Sequence, residues 1–483
     1  MNIIKKIDFG NEAGDDESPD TLMTYFVEQH HFKNFLREDK MMLATSKKGV
    51  GKSALIQWIY SKRKNDSPDD LIIKIRGSDL SRSNFDIDNS LKHPNDYIFD
   101  WQQRISTLIN RYLARKIKFA FKDDSISIIE KAELEGFKER NLLGSLLERF
   151  ERLATKGKKI KPEIGSQIER LKRVKKKNVW VLIDDLDATF QHTDSECLEL
   201  GTFFTACRYL IQDMEGLFFR VTMRTDVWPL IRRYDESVDK MEQYVYNINW
   251  DLEDFKILLF NRIKAQLDLL KISYRSDAEE FDIINKVFIP KMDWNQKKVS
   301  SYSIVHTLSY RRPRWAIQLC KIAQENAIKT RSEFITKTHI DNVWGEFGKQ
   351  RIADLVAEHK HQCKEVEELI TAFRNSDRRL TRDELMSLIN RKIKPHINTY
   401  IEGKYVNDAV SIARFLFRIG FIQARAENDG EFEHYDFSSM PNFLSTRTDD
   451  DFGVKWEIHP CYREALDIRK ISHYKRRNEG YFR

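Results

Sequence analysis

The stretch from Met41 to Ile59, MMLATSKKGVGKSALIQWI, constrains this chain more than any other. Met41 to Thr45 have the character of a short buried strand. Ser46 to Ser53 form a tight glycine-bearing loop, and from Ala54 onward Leu55, Trp58 and Ile59 recur on one helical face. Strand, loop and helix in that order place the loop where phosphates are held. Gly49 and Gly51 permit backbone turns that a Cβ would forbid, so successive N–H groups point inward at phosphate oxygens. The helix N-terminus adds partial positive charge behind them. Ser46, Lys47, Lys48, Gly49, Val50, Gly51, Lys52, Ser53 and Ala54 are therefore the candidate nucleotide contacts. Lys52 is placed for the β- and γ-phosphates and the Ser53 hydroxyl for Mg²⁺. One position departs from the G-x-x-x-x-G-K-S spacing, because Ser46 stands where the first glycine is usual. The alternative reading is a chance Gly-Lys-Ser turn at a helix start.

A second motif, NVWVLIDDLD, runs from Asn178 to Asp187. Five consecutive apolar residues, Val179 to Ile183, suit a central parallel strand buried on both faces. Asp184 and Asp185 follow at its carboxyl end, where open α/β sheets place ligands. As a Walker B pair, Asp184 serves the Mg²⁺ shell and Asp185 polarises the attacking water. An Asp-rich turn with no such role is the alternative.

At 483 residues the chain exceeds one ordinary core, so two or three domains are expected. Its apolar runs are far shorter than the roughly 20 residues of a membrane helix. The N-terminal MNIIKKIDFGNEAGDDE turns acidic where an export signal needs an apolar stretch. The five cysteines, Cys197, Cys207, Cys320, Cys363 and Cys461, include no C-x-x-C pair and suit a reducing, cytoplasmic setting. The net charge of +7 permits nucleic-acid contact without arguing for it.

The expected organisation has four parts. Residues 1–40 pack on the core through Tyr25, Phe26, Phe32 and Phe35, or contact the adenine from the entry side. Residues 41–250 form the α/β core, with strands at Asp70 to Gly77, Gly216 to Met223 and Tyr244 to Trp250. An insertion at about 95–177 interrupts it, helical over Tyr97 to Ile117 and Asn141 to Leu153 and rich in lysine from Lys156 to Lys177. That basic run is either a solvated face or a contact for nucleic-acid backbone. The strand from Gly216 ends in Arg224-Thr225-Asp226, so Arg224 is a candidate sensor of the γ-phosphate or an exposed strand-end arginine.

Residues 251–350 read as a helical lid beginning at Asp251. Within it, Pro313 pre-sets a first helical turn. Arg314 then lies near a helix N-terminus, where the macrodipole disfavours a cation. It is aimed at an anion, as a sensor 2 arginine is, or is simply exposed. Residues 360–483 read as a winged helix with a basic tail. Val366 to Phe373, a capping box at Thr381–Glu384 and Asn407 to Ile419 give three helices. A hairpin turns through Asn428-Asp429-Gly430. Arg414 and Arg418 on the third helix are candidates for facing DNA, and a protein docking surface is the alternative. His359, His361 and Cys363 read as a solvated linker rather than a metal site.

This order of motifs resembles the prokaryotic P-loop ATPases of the AAA-like and STAND-like grade, and is most similar to the FunZ-like group. The resemblance implies phosphate binding by Gly49, Gly51, Lys52 and Ser53. It implies Mg²⁺ and water activation at Asp184 and Asp185, a sensor at Arg224 and lid contact by Arg314. Members of such families often act in anti-phage or mobile-element conflict. The expected activity is ATP hydrolysis driving a conformational switch. Rivals are a DNA- or RNA-stimulated ATPase and an ATP-binding scaffold with negligible turnover. A homo-oligomer with a trans-acting arginine (Arg232 or Arg233) and a protein effector are partners that the sequence allows.

Overall fold

The computed structural model describes residues 3–12, 14, 16–68, 70–81, 93–118, 178–190, 193–213, 216–232, 234, 241–275, 277–428, 431–445 and 453–468. The chain divides into two compact units, Ala13–Asn249 and Met1–Glu12 with Trp250–Arg483.

The first unit is built on five strands: β1 (Met41–Ser46), β2 (Leu71–Arg76), β3 (Val179–Asp184), β4 (Leu217–Arg224) and β5 (Val245–Asn247). Their order is β2-β3-β4-β1-β5 and every pairing is parallel. Parallel pairing requires crossovers, and here helices α1 (Pro19–Tyr25), α2 (Lys52–Asp66), α3 (Pro94–Lys118), α4 (Asp194–Asp213) and α5 (Trp228–Ile231) accompany the strands. Every residue of β1 is buried, as its continuous apolar and small sequence demands. One face of the sheet gives Leu43, Ile73, Val181 and Phe219 to a core completed by Trp101 and Ile105 of α3 and Phe203 and Phe204 of α4. The chain leaves β1 for one edge of the sheet and returns to β5 on the other. The loop after β1 therefore lies beside the carboxyl ends of β4 and β3, a topological switch point.

The aromatic approach to β1 packs on this unit. Phe26 stacks on Trp58 of α2 with centroids 5.6 Å apart, and Phe32 sits 6.2 Å from the same ring. Buried Arg220 of β4 holds the following turn, donating to the carbonyls of Phe35 at 2.6 Å, Asp39 at 2.8 Å and Arg37. Helix α3 begins slightly before the helix expected at Tyr97. The helix expected at Asn141 to Leu153, the basic run to Lys177, and Arg233 lie outside the described residues.

The second unit opens with residues 3–12, in which Ile4, Ile7 and Phe9 are buried. Its helices are α6 (Leu252–Leu269), α7 (Glu280–Ile284), α8 (Ser301–Leu308), α9 (Pro313–Lys329), α10 (Lys337–His359), α11 (Val366–Thr371), α12 (Arg382–Lys392), α13 (Ala409–Arg418) and α14 (Pro460–Arg463). Gln324 of α9 donates to the carbonyls of Ile4 and Ile7, both at 2.6 Å, and Arg262 of α6 donates to that of Phe9. Strands β6 (Lys291–Trp294) and β7 (Lys297–Ser300) form a hairpin, and so do β9 (Tyr400–Ile401) and β10 (Lys404–Tyr405). An antiparallel sheet of order β12-β11-β13-β8 joins β8 (Arg379–Leu380), β11 (Ile422–Asn428), β12 (Glu431–Tyr435) and β13 (Lys455–Ile458). Thr381 caps α12 in the expected box: its hydroxyl accepts from the Glu384 N–H at 3.2 Å, and Glu384 accepts from the Thr381 N–H at 2.9 Å.

The third of these helices, α13, differs from the DNA-facing expectation. None of its residues is exposed. Arg414 donates to the carbonyls of Phe443 at 3.0 Å and Pro441 at 2.8 Å, and Arg418 pairs with Glu402 at 2.8 Å. Both guanidinium groups are held by loops of their own chain. The basic tail lies outside the described residues.

Candidate functional site

The loop after β1 owes its path to two left-handed residues, Gly49 at φ +78° and Gly51 at φ +119°. A Cβ is disfavoured at both, which is why glycine is needed there. Ser46 is different. It is the last residue of β1, paired with Arg224 of β4, fully buried and outside the left-handed region. The departure from glycine at this position thus falls on a strand residue that accepts a side chain. Gly51 caps α2, so Lys52 and Ser53 open the helix, and Lys52 is 7% exposed. The first turn of α2 is flanked by Gly14, where an added Cβ would lie 3.1 Å from the Cβ of Ala54.

Facing this loop, β3 ends at Asp184 and the chain turns left-handed at Asp185, φ +49°. Aspartate is among the few non-glycine residues that take this conformation readily. The Lys52 ammonium lies 3.4 Å from Asp185 Oδ1. Asp184 accepts from the Thr222 hydroxyl of β4 at 2.8 Å, and that same hydroxyl accepts from the Asp185 N–H at 2.8 Å. The Thr222 proton is thereby committed to Asp184, which must act as the acceptor. Burial, and then the neighbouring Asp185, raise the Asp184 carboxyl above its ordinary value. Hydrogen bonds to Ser53 and Thr222 and the charge of Lys52 oppose that rise. A hydroxyl beside a carboxylate short of positive charge is a hard oxygen donor set, which fits Mg²⁺.

Arg224, at the tip of β4, is turned toward acidic partners. Its Nε lies 2.8 Å from Asp187 and 3.5 Å from Asp226, and its backbone N–H donates to Asp187 at 3.2 Å. Burial raises the Asp187 carboxyl, and Arg224 offsets part of that rise. Arg232 is paired with Glu242 at 2.5 Å. In the helical unit Arg314 is the second residue of α9 and half-buried, and among the described residues no hydrogen bond or ion pair holds its side chain. The buried arginine of that motif is Arg312, paired with Glu358 at 3.1 Å and 4.2 Å above the Trp315 ring.

Two residues of the site escaped the sequence reading. Asp187 completes the acidic triplet of IDDLD, and its signal was the third carboxylate itself. Thr222 belongs to the alternation Arg220-Thr222-Arg224, polar at every second residue of a buried strand, which marks one face of β4 as polar. The five cysteines are unpaired and buried. Among the described residues no three His, Cys, Asp or Glu side chains cluster to hold a metal. The solvated linker expected at His359 to Cys363 is instead a packed helix end: His359 closes α10, and His359 and Cys363 are both buried, 6% and 1% exposed. No helix among the described residues is long and apolar enough to cross a membrane.

Residues 253–356, from α6 into α10, match the family described as FunZ-associated C-terminal helical domain. A putative transposon gamma-delta 80.3 kDa protein of Escherichia coli is 22% identical over 97% of this chain and 68% of its own length. Among solved structures, the ORC2 protein of Aeropyrum pernix aligns over 92% of this chain and 90% of its own, with TM-score 0.39 and 11% identity. The RuvB Holliday junction branch migration motor of Thermotoga maritima aligns over 68% and 76%, with TM-score 0.31 and 11% identity. A P-loop core thus lies ahead of a segment, residues 253–356, that is similar to the FunZ-associated C-terminal helical domain.

Proposed function

We propose that this chain binds Mg·ATP at the loop between β1 and α2, hydrolyses it, and uses the change of nucleotide state to switch conformation. The observation that carries this reading is the convergence of Lys52 with Asp184 and Asp185, the Lys52–Asp185 distance being 3.4 Å. Backbone amides of residues 47–53 cradle the phosphates, and Lys52 exchanges Asp185 for the β- and γ-phosphate oxygens. Mg²⁺, held by Ser53 and Asp184, supplies positive charge where the phosphoryl oxygens become more negative. Asp185, half-exposed, orients and polarises the attacking water. Arg224 leaves Asp187 for the γ-phosphate and returns when that group is gone. Arg314, whose guanidinium is free among the described residues, is assigned a phosphate contact from the helical unit.

The output of the switch is movement of the second unit, whose order of helices and hairpin we assign to a helical lid followed by a winged helix. Nucleic acid as the trigger finds no support in α13, because Arg414 and Arg418 are bound within the chain. The transposon named in the relative from Escherichia coli is in keeping with a role in mobile-element conflict. The test is phosphate release by the wild type against Asp185→Asn. Equal rates, with ATP still bound, would leave a nucleotide-binding scaffold and remove the enzyme.

A further inference from the structure

Strand β2 ends at Arg76, level with Asp184 of β3, and the chain then turns at Gly77 into a short 3-10 helix, Gly77–Leu80. Gly77 is not left-handed, so backbone freedom does not explain it. Space does. A Cβ at this position would lie 2.0 Å from the Asp185 carbonyl oxygen and 2.7 Å from both the Asp185 carbonyl carbon and Leu186 Cα. All three are backbone atoms, so no side-chain rotation relieves the clash. From the opposite side β4 pins the same turn, with the Asp185 N–H on the Thr222 hydroxyl at 2.8 Å and the Leu186 N–H on the Thr222 carbonyl at 2.9 Å.

The turn that carries Asp185 is therefore held between two neighbouring strands, one of which must contribute nothing but hydrogen. We infer that Gly77 is a positioning residue for the hydrolysis proposed above, an inference that rests on that reading. Its missing side chain is what lets residue 185 adopt the left-handed turn that presents the Asp185 carboxylate to Lys52. A methyl group at 77 forces a retreat of about 1 Å by the 185–186 backbone, because real Cβ contacts stay beyond 3.0 Å. A misplacement of that size costs a catalytic group on the order of 10²-fold in rate. The three nearest atoms that a Cβ at 77 would meet belong to residues 185 and 186 and none to the phosphate loop, so nucleotide affinity is expected to survive.

The experiment compares wild type, Gly77→Ala, Asp185→Asn and the double variant in ATP turnover, in binding of a fluorescent ATP analogue with Mg²⁺, and in amide exchange at residues 185–186. Asparagine tolerates left-handed backbone as aspartate does, so Asp185→Asn removes the charge while keeping the turn. The expected result for Gly77→Ala is a kcat lower by about tenfold to 100-fold, with KM and analogue affinity within about twofold of wild type. Exchange is expected to quicken at Asp185 and Leu186, and Gly77→Ala should add nothing in the Asp185→Asn background.

Wild-type kcat in Gly77→Ala overturns the inference, and so does a loss that multiplies with that of Asp185→Asn. A joint loss of analogue affinity and of protection throughout the sheet also overturns it, by reducing Gly77 to a folding requirement. If the wild type turns over no faster than Asp185→Asn, the hydrolysis reading falls and takes the catalytic role of Gly77 with it. Unchanged exchange at Asp185 and Leu186 removes the geometric claim even where hydrolysis stands.

Discussion

Two clusters of buried charge in this molecule are built with opposite balances. At the phosphate loop, Asp184, Asp185 and Asp187 share Lys52 and Arg224, and burial leaves the Asp184 and Asp187 carboxyls raised above their ordinary values. In the antiparallel sheet of the helical unit the buried carboxylate of Glu457 receives Arg379 at 2.7 Å, Arg463 at 3.1 Å, His434 at 3.1 Å and Arg425 at 3.6 Å, with Arg379 and Arg425 also reaching Glu427 at 3.2 and 2.8 Å. Although burial acts to raise it, these partners hold Glu457 far below the ordinary carboxylate range. One cluster is short of positive charge and the other is saturated with it. On the function proposed above, the first is prepared for a cation and a ligand, whereas the second serves as a structural fastening.

The strongest test of that contrast is Lys52→Ala. It removes the cation nearest the acidic pair and should abolish measurable ATP-analogue binding, with little change in unfolding temperature. Retained binding would break the comparison at its functional end. Next in size, Asp185→Asn should lower kcat by about 10²- to 10⁴-fold at nearly unchanged nucleotide affinity. Glu457→Gln should do the reverse, costing about 3 kcal/mol of stability in thermal or denaturant unfolding while the phosphate loop still binds nucleotide. A drop in ATP binding without destabilisation would show that the fastening had been misjudged.

The pH dependence should separate the two clusters as well. Glu457 has a depressed folded-state pKa, so its stabilisation is present above its ordinary value of 4.5 and is lost as pH falls below that toward the folded value. Asp184 has a raised folded-state pKa, so it takes up a proton sooner than an ordinary aspartate as pH falls. Mg²⁺-dependent nucleotide binding should accordingly weaken at a higher pH than the unfolding of the helical unit, as titrations of binding and of circular dichroism would show. The smallest effect expected is that of Arg414→Ala and Arg418→Ala on duplex DNA affinity, within about twofold, because both guanidinium groups are bound within the chain. A large, salt-dependent loss would reopen nucleic acid as the trigger.

Much of the α/β unit was legible because its signals are local. An apolar run, a glycine loop and a helical face in MMLATSKKGVGKSALIQWI suffice for β1, the loop and α2, and NVWVLIDDLD suffices for β3 and its carboxylates. Thr222 and Gly77 were not legible as site residues. Their roles depend on β2 and β4 flanking β3, which no periodicity reports. The helical face of α13 was readable, but what lies over it was not, since the segment around Pro441–Phe443 and the β9–β10 hairpin reach it only in the folded chain. Within YRRPRW the sequence argument drew attention to Arg314, whereas Arg312, one residue before the proline, is the one buried against Glu358.

Residues 3–12 impose an order on how the molecule is made. During synthesis they emerge before the α/β unit, yet the Gln324 side chain that donates to the Ile4 carbonyl is 320 residues further on. Ile4, Ile7 and Phe9 must stay uncommitted while the whole parallel sheet is translated, and they find their seat only once α9 has left the ribosome. The helical unit is thus completed last, from both flanks of its neighbour.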